Sequence, residues 1–367
     1  MKGKLPLGPL RASTRQPLLL ECDVEDMAIT SARLTAVAEP TSYAPGFEGA
    51  SPADGADFAS RLCARSSVHL ALAFSMAVEE ALGVEVPDDH AALRVALCEW
   101  ARIASHLEVV SDVARALEDD LVYGRPRRYI HRIRSAFEDA CGNAFAFGAV
   151  VPGGVALAAE SGAADLLGAL GGYGETLERD ATFWARKLWL SRARLTRGRL
   201  DASSLQGEAS AAALRASGSP MDLRAGEGSG PYAGLRYKPV TREGGTALDR
   251  ALVLLGEIGA SARLIRKVRE AASGCVGRPA EASSRKGTGV GAVESPHGAV
   301  DCRVFLASDG KIIRARLTSD ADLLADVAAR AFEGALFEDA VPVLASLSLC
   351  PCCMALGGRD RGAGGDE

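Results

Sequence analysis

The stretch RLCARSSVHLALAFSMAVE (residues 61–79) decides how this chain is read. It lies in a strongly helical run that starts at Phe58 and has its natural stop at Gly83. Near the start stand Cys63 and, three positions on, Ser66. Positions three apart share a helix face, and a thiol near a helix start has a lowered pKa. At the far end, LSLCPCCMALGG (residues 347–358) crowds Cys350, Cys352 and Cys353 together. Two thiolates at C-x-x-C spacing can grip one soft metal, and a second pair completes a four-coordinate site. The sequence therefore presents C-x-x-S early and C-x-x-C late. The expectation is that these two distant segments meet over one site, with Cys352 an extra thiol beside the Cys350–Cys353 pair.

Composition narrows the setting. The chain has 367 residues, 48% hydrophobic and 24% charged, which is ordinary globular chemistry with room for a sizeable core. A net charge of −5 excludes a mainly nucleic-acid partner, which needs a basic footprint. The N-terminal residues lack the apolar stretch of an export signal, and the longest uncharged apolar run, residues 144–159, is too short to span a bilayer and is broken by PGG. The expected setting is cytoplasmic, free or peripheral to a membrane. In a reducing compartment Cys22, Cys98, Cys141, Cys275 and Cys302 read as core or loop residues.

Around the opening stretch, residues 17–37 read as strands and 38–57 as loop. Helices are predicted over 88–120, 127–141, 160–197, 205–214, 246–272, 319–333 and 335–345 from their three- and four-residue apolar steps. Residues 274–292 read as a flexible connector, and VDCRVFLASDGKIIRARL (residues 300–317) as a hairpin turning at SDGK. The predicted fold is mainly α (α+β): a long-helix bundle over 58–345, a small β region over 5–50 and a C-terminal hairpin. A single domain is expected over 1–356, with a disordered tail at 357–367.

Taken with further blocks in order, these motifs resemble a known family. RLCARSSVHLALAFSMAVE is similar to R-[IV]-C-G-x-C-S followed by A-L-A-x-x-x-A-V-E. LRASGSPMDLR (residues 214–224) resembles L-R-[AG]-S-G-[VI]-x-x-D-[LVI]-R, and ESPHGAVDCRVFLASDGKIIRARL (residues 294–317) resembles E-[AS]-P-[RK]-G…V-S-D-G…R-x-[RK]-[IL]. The family is that of the large subunit of energy-converting, membrane-bound nickel–iron hydrogenases and of the 49 kDa subunit of respiratory complex I. The resemblance covers nearly the whole chain and implies a hydrogenase-large-subunit-like bundle.

The resemblance also implies a site. In active members four cysteines hold nickel and iron. Carried over, these positions are Cys63, Ser66, Cys350 and Cys353, with a hard, weak hydroxyl donor at Ser66. Glu48 matches a proton-relaying glutamate, and His297 stands where an arginine lies over the metals. Ser348 and Leu356 replace an aspartate and a processing residue, and the quinone-branch tyrosine falls on Ala64. The implied partners are an iron–sulfur small subunit and membrane ion-translocating subunits, on the cytoplasmic face of a membrane. The cofactor is a nickel–iron centre, another thiolate-bound metal (zinc or iron), or none. Electron transfer coupled to ion movement without ordinary hydrogenase activity, a non-catalytic coupling subunit, and a zinc-bearing scaffold all remain open at this level.

Overall fold

The computed structural model describes residues 2–10, 18–36, 43–158, 162–201, 209–226, 230–276 and 285–357. The predicted tail therefore lies outside the described residues but for Gly357. One hydrophobic core runs from Leu18 to Leu356. Its framework is the long helix α3 (Asp88–Ala116), packed chiefly on α9 (Ala247–Ser273) and also on α4 (Asp120–Cys141). Both neighbours start at side-chain caps. Asp119 accepts from Val122 N for α4, and a Thr246–Asp249 capping box opens α9. Helices α5 (Gly162–Gly171), α6 (Tyr173–Leu190) and α7 (Arg192–Leu195) fill the predicted 160–197 region. Of the helix expected at 205–214, the described residues 209–211 are not helical, and α8 (Ala212–Arg215) forms at its end.

The small sheets sit where the sequence indicated, with three differences. Strands β1 (Lys2–Leu10), β2 (Leu18–Glu25) and β3 (Ala28–Ala36) form an antiparallel sheet, and β1 was not expected. Residues 38–57 are not all loop. A 3-10 turn spans Ala44–Phe47, and α1 (Pro52–Arg61) begins at Ser51, whose side chain accepts from Asp54 N. The predicted hairpin is β7 (Gly298–Leu306) and β8 (Ile312–Ser319), but a third strand, β6 (Gly287–Ser295), pairs with β7 where a connector was expected. A two-residue pair β4 (Val150–Val151) and β5 (Gly154–Val155) follows α4.

Strand β6 looks like a linker because GTGVG offers no side chains on one face. That bare face is what α2 (Ser67–Leu82) lies on. A Cβ added at Gly287, Gly289 or Gly291 would come within 2.4, 2.1 and 2.2 Å of the carbonyl oxygens of Ala81, Ala77 and Ala73 respectively. The spacings match. Two strand residues advance about 6.6 Å, and four helix residues about 6.0 Å. Each glycine thus meets one alanine of the stripe.

Inside the bundle, the motif blocks meet as a fully buried ion network. Glu99 of α3 accepts from Arg102 Nε (3.3 Å), Arg224 Nη1 (3.2 Å), Tyr232 Oη (2.6 Å) and Ser261 Oγ (2.5 Å). Arg215 donates to Glu257 and Glu294, both at 2.8 Å, and Arg224 to Asp222 at 2.6 Å. Every carboxylate here is met by donors, as buried charge requires. Further along α3, Asp112 is less well matched. Burial pushes its carboxyl up to about 6, against the pull of Arg65 and with Glu108 adding to the rise.

Two outcomes follow. Gly289→Val should destabilise the protein by about 3 kcal/mol or more, because the backbone at Ala77 cannot yield as a flexible side chain would; urea titration measures it. Asp112 has a folded pKa above its unfolded value. Its native state therefore binds more protons, and the stability it lends is lost as pH rises towards 6. Asp112→Asn should stabilise by about 1–2 kcal/mol at pH 8, allowing for partial solvent screening, and give no gain at pH 4. Equal effects at both pH values in thermal melts would contradict that origin.

Candidate metal centre

Helix α1 ends at Arg61 and α2 begins at Ser67, so the C-x-x-S segment is a turn between helices rather than part of one. This corrects the continuous helix expected from Phe58. Ser66 N bonds Cys63 O at 3.1 Å, and Ser66 is the N-cap position of α2. At the far end, α11 (Ala340–Ser346) stops, Ser348 takes a left-handed φ of 55°, and Cys350 precedes the short α12 (Pro351–Met354). α10 (Ala321–Ala328) connects this segment to β8.

These two distant segments meet. Cys63 Sγ lies 3.5 Å from Cys350 Sγ, and Ser66 Oγ 3.5 Å from Cys353 Sγ. Cys352, the extra cysteine of the motif, joins them. The sulfurs of Cys63, Cys350 and Cys352 all lie within 4.8 Å of one another. Cys353 also shares its thiol with Cys350 and Cys63. Cys63 and Cys350 are each 3% exposed, Cys353 and Ser66 are fully buried, and Cys352 is partly exposed, so the cluster is closed on all but the Cys352 side. Hydrogen bonds from Cys352, Cys353 and Cys63 hold the Cys350 thiol well below its usual range, while those same bonds push Cys352 and Cys353 up. The pocket thus already stabilises a thiolate at Cys350.

His297 sits at the tip of the tight turn joining β6 to β7, whose register pairs Ser295 with Gly298. Its Nδ1 is 2.9 Å from Ser348 O. A carbonyl only accepts, so Nδ1 carries the proton and Nε2 accepts from Ser105 Oγ at 3.3 Å. Burial, with Arg65 adding to it, lowers its pKa to about 3, so the imidazole is neutral. In this state His297 holds the carbonyl of Ser348, the left-handed residue just before the thiols. Glu48 is exposed just after the Ala44–Phe47 turn, and no hydrogen bond among the described residues ties its carboxylate to the cluster. Leu356 is buried, and its carbonyl accepts from Tyr43 Oη at 3.1 Å, which pins the segment after the thiols.

The donor set suits a soft ion. Sulfurs at these separations match thiolates around one small metal centre, whereas the Ser66 hydroxyl is a poor bridging ligand for a nickel–iron pair. A second grouping, Asp89, His90 and Cys275, is chemically different. His90 Nδ1 already accepts Val155 N at 3.0 Å, and burial pushes the Cys275 thiol up to about 11, so this is a structural hydrogen-bonded cluster. None of the cysteines forms a disulfide. His106 meets Glu257 Oε2 of α9 at 3.0 Å; only the apolar period of α9, broken by a buried acid, hints at this partner.

Comparison with known proteins agrees with this geometry. The family model for the respiratory-chain NADH dehydrogenase 49 kDa subunit matches residues 126–282. An NADH-quinone oxidoreductase subunit of Mycobacterium sp. (strain KMS) is 28% identical over 270 residues, covering 71% of this chain and 59% of that protein. The corresponding NADH-quinone oxidoreductase subunit of Salinispora arenicola (strain CNS-205) is 29% identical over 272 residues, 71% of this chain and 60% of that one. The chain thus spans about 60% of the length of these curated relatives. Among solved structures, a chain of the membrane-bound sulfane sulfur reductase, an archaeal respiratory membrane complex, superposes with a TM-score of 0.83 at 20% identity, over 96% of this chain and 98% of that one. The Dm. baculatum [NiFeSe]-hydrogenase matches with a TM-score of 0.78 at 12% identity, over 97% and 100%. These likenesses carry the fold, and the ordered sequence blocks resemble those of complex I 49 kDa subunits and hydrogenase large subunits.

Proposed function

We propose that this chain is the large subunit of a membrane-associated respiratory or hydrogenase-like complex, and that its thiol cluster holds one soft metal ion in place of a nickel–iron pair. The observation behind this reading is the junction of Cys63, Cys350 and Cys352 in a largely buried pocket, with Cys353 beside them and Ser66, at the position where the resemblance puts a bridging thiolate, in contact with Cys353. A thiolate-bound iron could carry an electron, and a thiolate-bound zinc would fix the fold. The burial of Cys63, Cys350 and Cys353 favours a closed thiolate site, which the partly exposed Cys352 completes at its outer edge. Electron transfer coupled to ion movement would then run through an iron–sulfur small subunit and membrane ion-translocating subunits. No helix among the described residues is long and apolar enough to cross a membrane, which is consistent with a peripheral place on its cytoplasmic face.

In this reading the chain's own residues do positional work. His297 and Ser105 hold the Ser348 carbonyl and so aim Cys350. Ser66 keeps Cys353 in place through its hydroxyl contact. Glu48, open to solvent, is an ordinary solvated carboxylate and needs no relay role.

Anaerobic purification followed by measurement of nickel, iron and zinc per chain tests the proposal. The expected result is one iron or zinc and no nickel. Cys350→Ser or Cys352→Ser should each weaken metal retention by at least about 100-fold, since even the loss of groups outside the ligand shell costs 10–100-fold. Unchanged retention in Cys352→Ser would remove the four-thiolate site. Infrared bands of metal-bound carbon monoxide and cyanide would restore the nickel–iron reading. Ser66→Cys supplies the missing thiol, and the expected outcome is still no nickel and no hydrogen uptake, because the neutral His297 and the exposed Glu48 also depart from the active pattern.

A further inference from the structure

From Trp184 to Leu200 the chain reads WARKLWLSRARLTRGRL: Arg186, Lys187, Arg192, Arg194, Arg197 and Arg199, with no carboxylate, in a protein of net charge −5. These residues form the C-terminal end of α6, all of α7 and the segment after it. Trp184 is buried and packs edge-on against Tyr129. Five residues on, Trp189 is 50% exposed and Leu190 67% exposed, at the very end of the helix. The Arg192 guanidinium lies 3.9 Å from the Trp189 ring centroid and also donates to Trp189 O at 3.3 Å, which holds the indole upright at the surface. Arg186 and Arg199 are exposed, and Lys187 is half-buried. Arg194 and Arg197 are partly neutralised by Asp339, at 3.1 and 3.6 Å, with the exposed Glu338 beside it. Arg125 of α4 stacks on Phe183 at 5.5 Å and adds to the same basic side.

A fold does not need this arrangement. A large exposed indole and leucine side by side, ringed by cations and attached to no core function, indicate a second surface. A second copy of the chain would set cation against cation. A protein partner would need a pocket shaped to a protruding helix end. A headgroup layer needs none, because it deforms around an apolar tip and offers phosphates to the surrounding guanidiniums, and Trp is the side chain best suited to that layer.

We propose that Trp189 and Leu190, with Arg186, Lys187, Arg192 and Arg199, dock this protein on an anionic phospholipid surface. The patch lies apart from the thiol cluster and shares with the proposed function only the membrane location.

The test is co-sedimentation of the full chain with vesicles of phosphatidylcholine alone and of phosphatidylcholine mixed with phosphatidylglycerol. Binding is expected to the mixed vesicles, and it should fall at least about tenfold between about 0.1 M and about 1 M salt as the screening length shrinks from about 10 to about 3 Å. Neutralising Arg186, Lys187 and Arg192 to Gln together should weaken partitioning by about 100-fold, near fivefold per charge. Trp189→Ala with Leu190→Ser should weaken it at both salt concentrations. Unchanged thermal melts show that these variants are folded. Three outcomes overturn the inference: no binding to mixed vesicles at low salt, equal binding to neutral vesicles, or unchanged binding of the triple variant. If the triple variant instead frees the chain from its native complex with no effect on vesicles, the patch serves an acidic protein. Cys350→Ser should leave vesicle binding untouched, so this inference and the metal-site reading can fail separately.

Discussion

The contact between α2 and β6 constrains the rest of the structure. Glycines at every second strand position face alanines at every fourth helix position, and the two backbones touch with no side chain between them. That closeness fixes the helix both along and across the strand. The N-terminal end of α2 is the Cys63–Ser66 turn, and the C-terminal end of β6 runs into the turn bearing His297. Setting α2 on β6 therefore sets the early thiol and the imidazole in one frame. The late thiols enter it through the Ser348 carbonyl, held by His297, and through the Tyr43 hydroxyl, which reaches the Leu317 and Leu356 carbonyls.

A second constraint is electrostatic. Glu99, Arg102 and His106 come from α3, Arg215, Asp222 and Arg224 from the block at 214–224, Glu257 from α9 and Glu294 from β6. Each is almost or wholly buried. Such a network adds little stability compared with a well-packed apolar core, but removal of one member leaves a buried charge without compensation, at a cost of about 3–5 kcal/mol. Its effect is to allow only one mutual placement of the elements that supply it. This explains why the sequence blocks that carry the kinship are rich in charged residues: Arg65 stands between Cys63 and Ser66, and the buried ones named here belong to the network. They specify the frame, and the cluster occupies it.

Much of this was legible in the sequence, for physical reasons that differ by element. α3 and α9 are long enough for their apolar period to show, and their limits fall close to the predicted ones, whereas α4 starts seven residues before the predicted 127 and the predicted 160–197 stretch divides into α5, α6 and α7. β6 was not legible, because a strand that buries bare glycine against a helix has the composition of a linker. The break at residues 62–66 was hidden because apolar and small residues continue through it, and only the buried Ser66 cap position marks the restart of the helix. The meeting of Cys63 with Cys350 followed from motif order. Motif order left Cys352 as an extra thiol beside the C-x-x-C pair; the structure brings its sulfur within 4.8 Å of those of Cys63 and Cys350.

Cys352 bears most directly on what the cluster is. If Ser66 marked simple decay of a four-cysteine site, nothing would oblige another thiol to enter the space. Instead the structure places Cys352 against Cys63 and Cys350, within the spacing one ion needs, while the Ser66 hydroxyl turns to Cys353. A pocket that kept three ancestral thiols only for packing would bury them protonated, since burial alone raises a thiol, as it does at Cys98, pushed up to about 12. At Cys350 the neighbouring thiols outweigh burial and favour the thiolate. Under the proposed function, clustered sulfurs that favour a thiolate have the electrostatics a ligand set would need, and the donor count would suit one soft cation better than two.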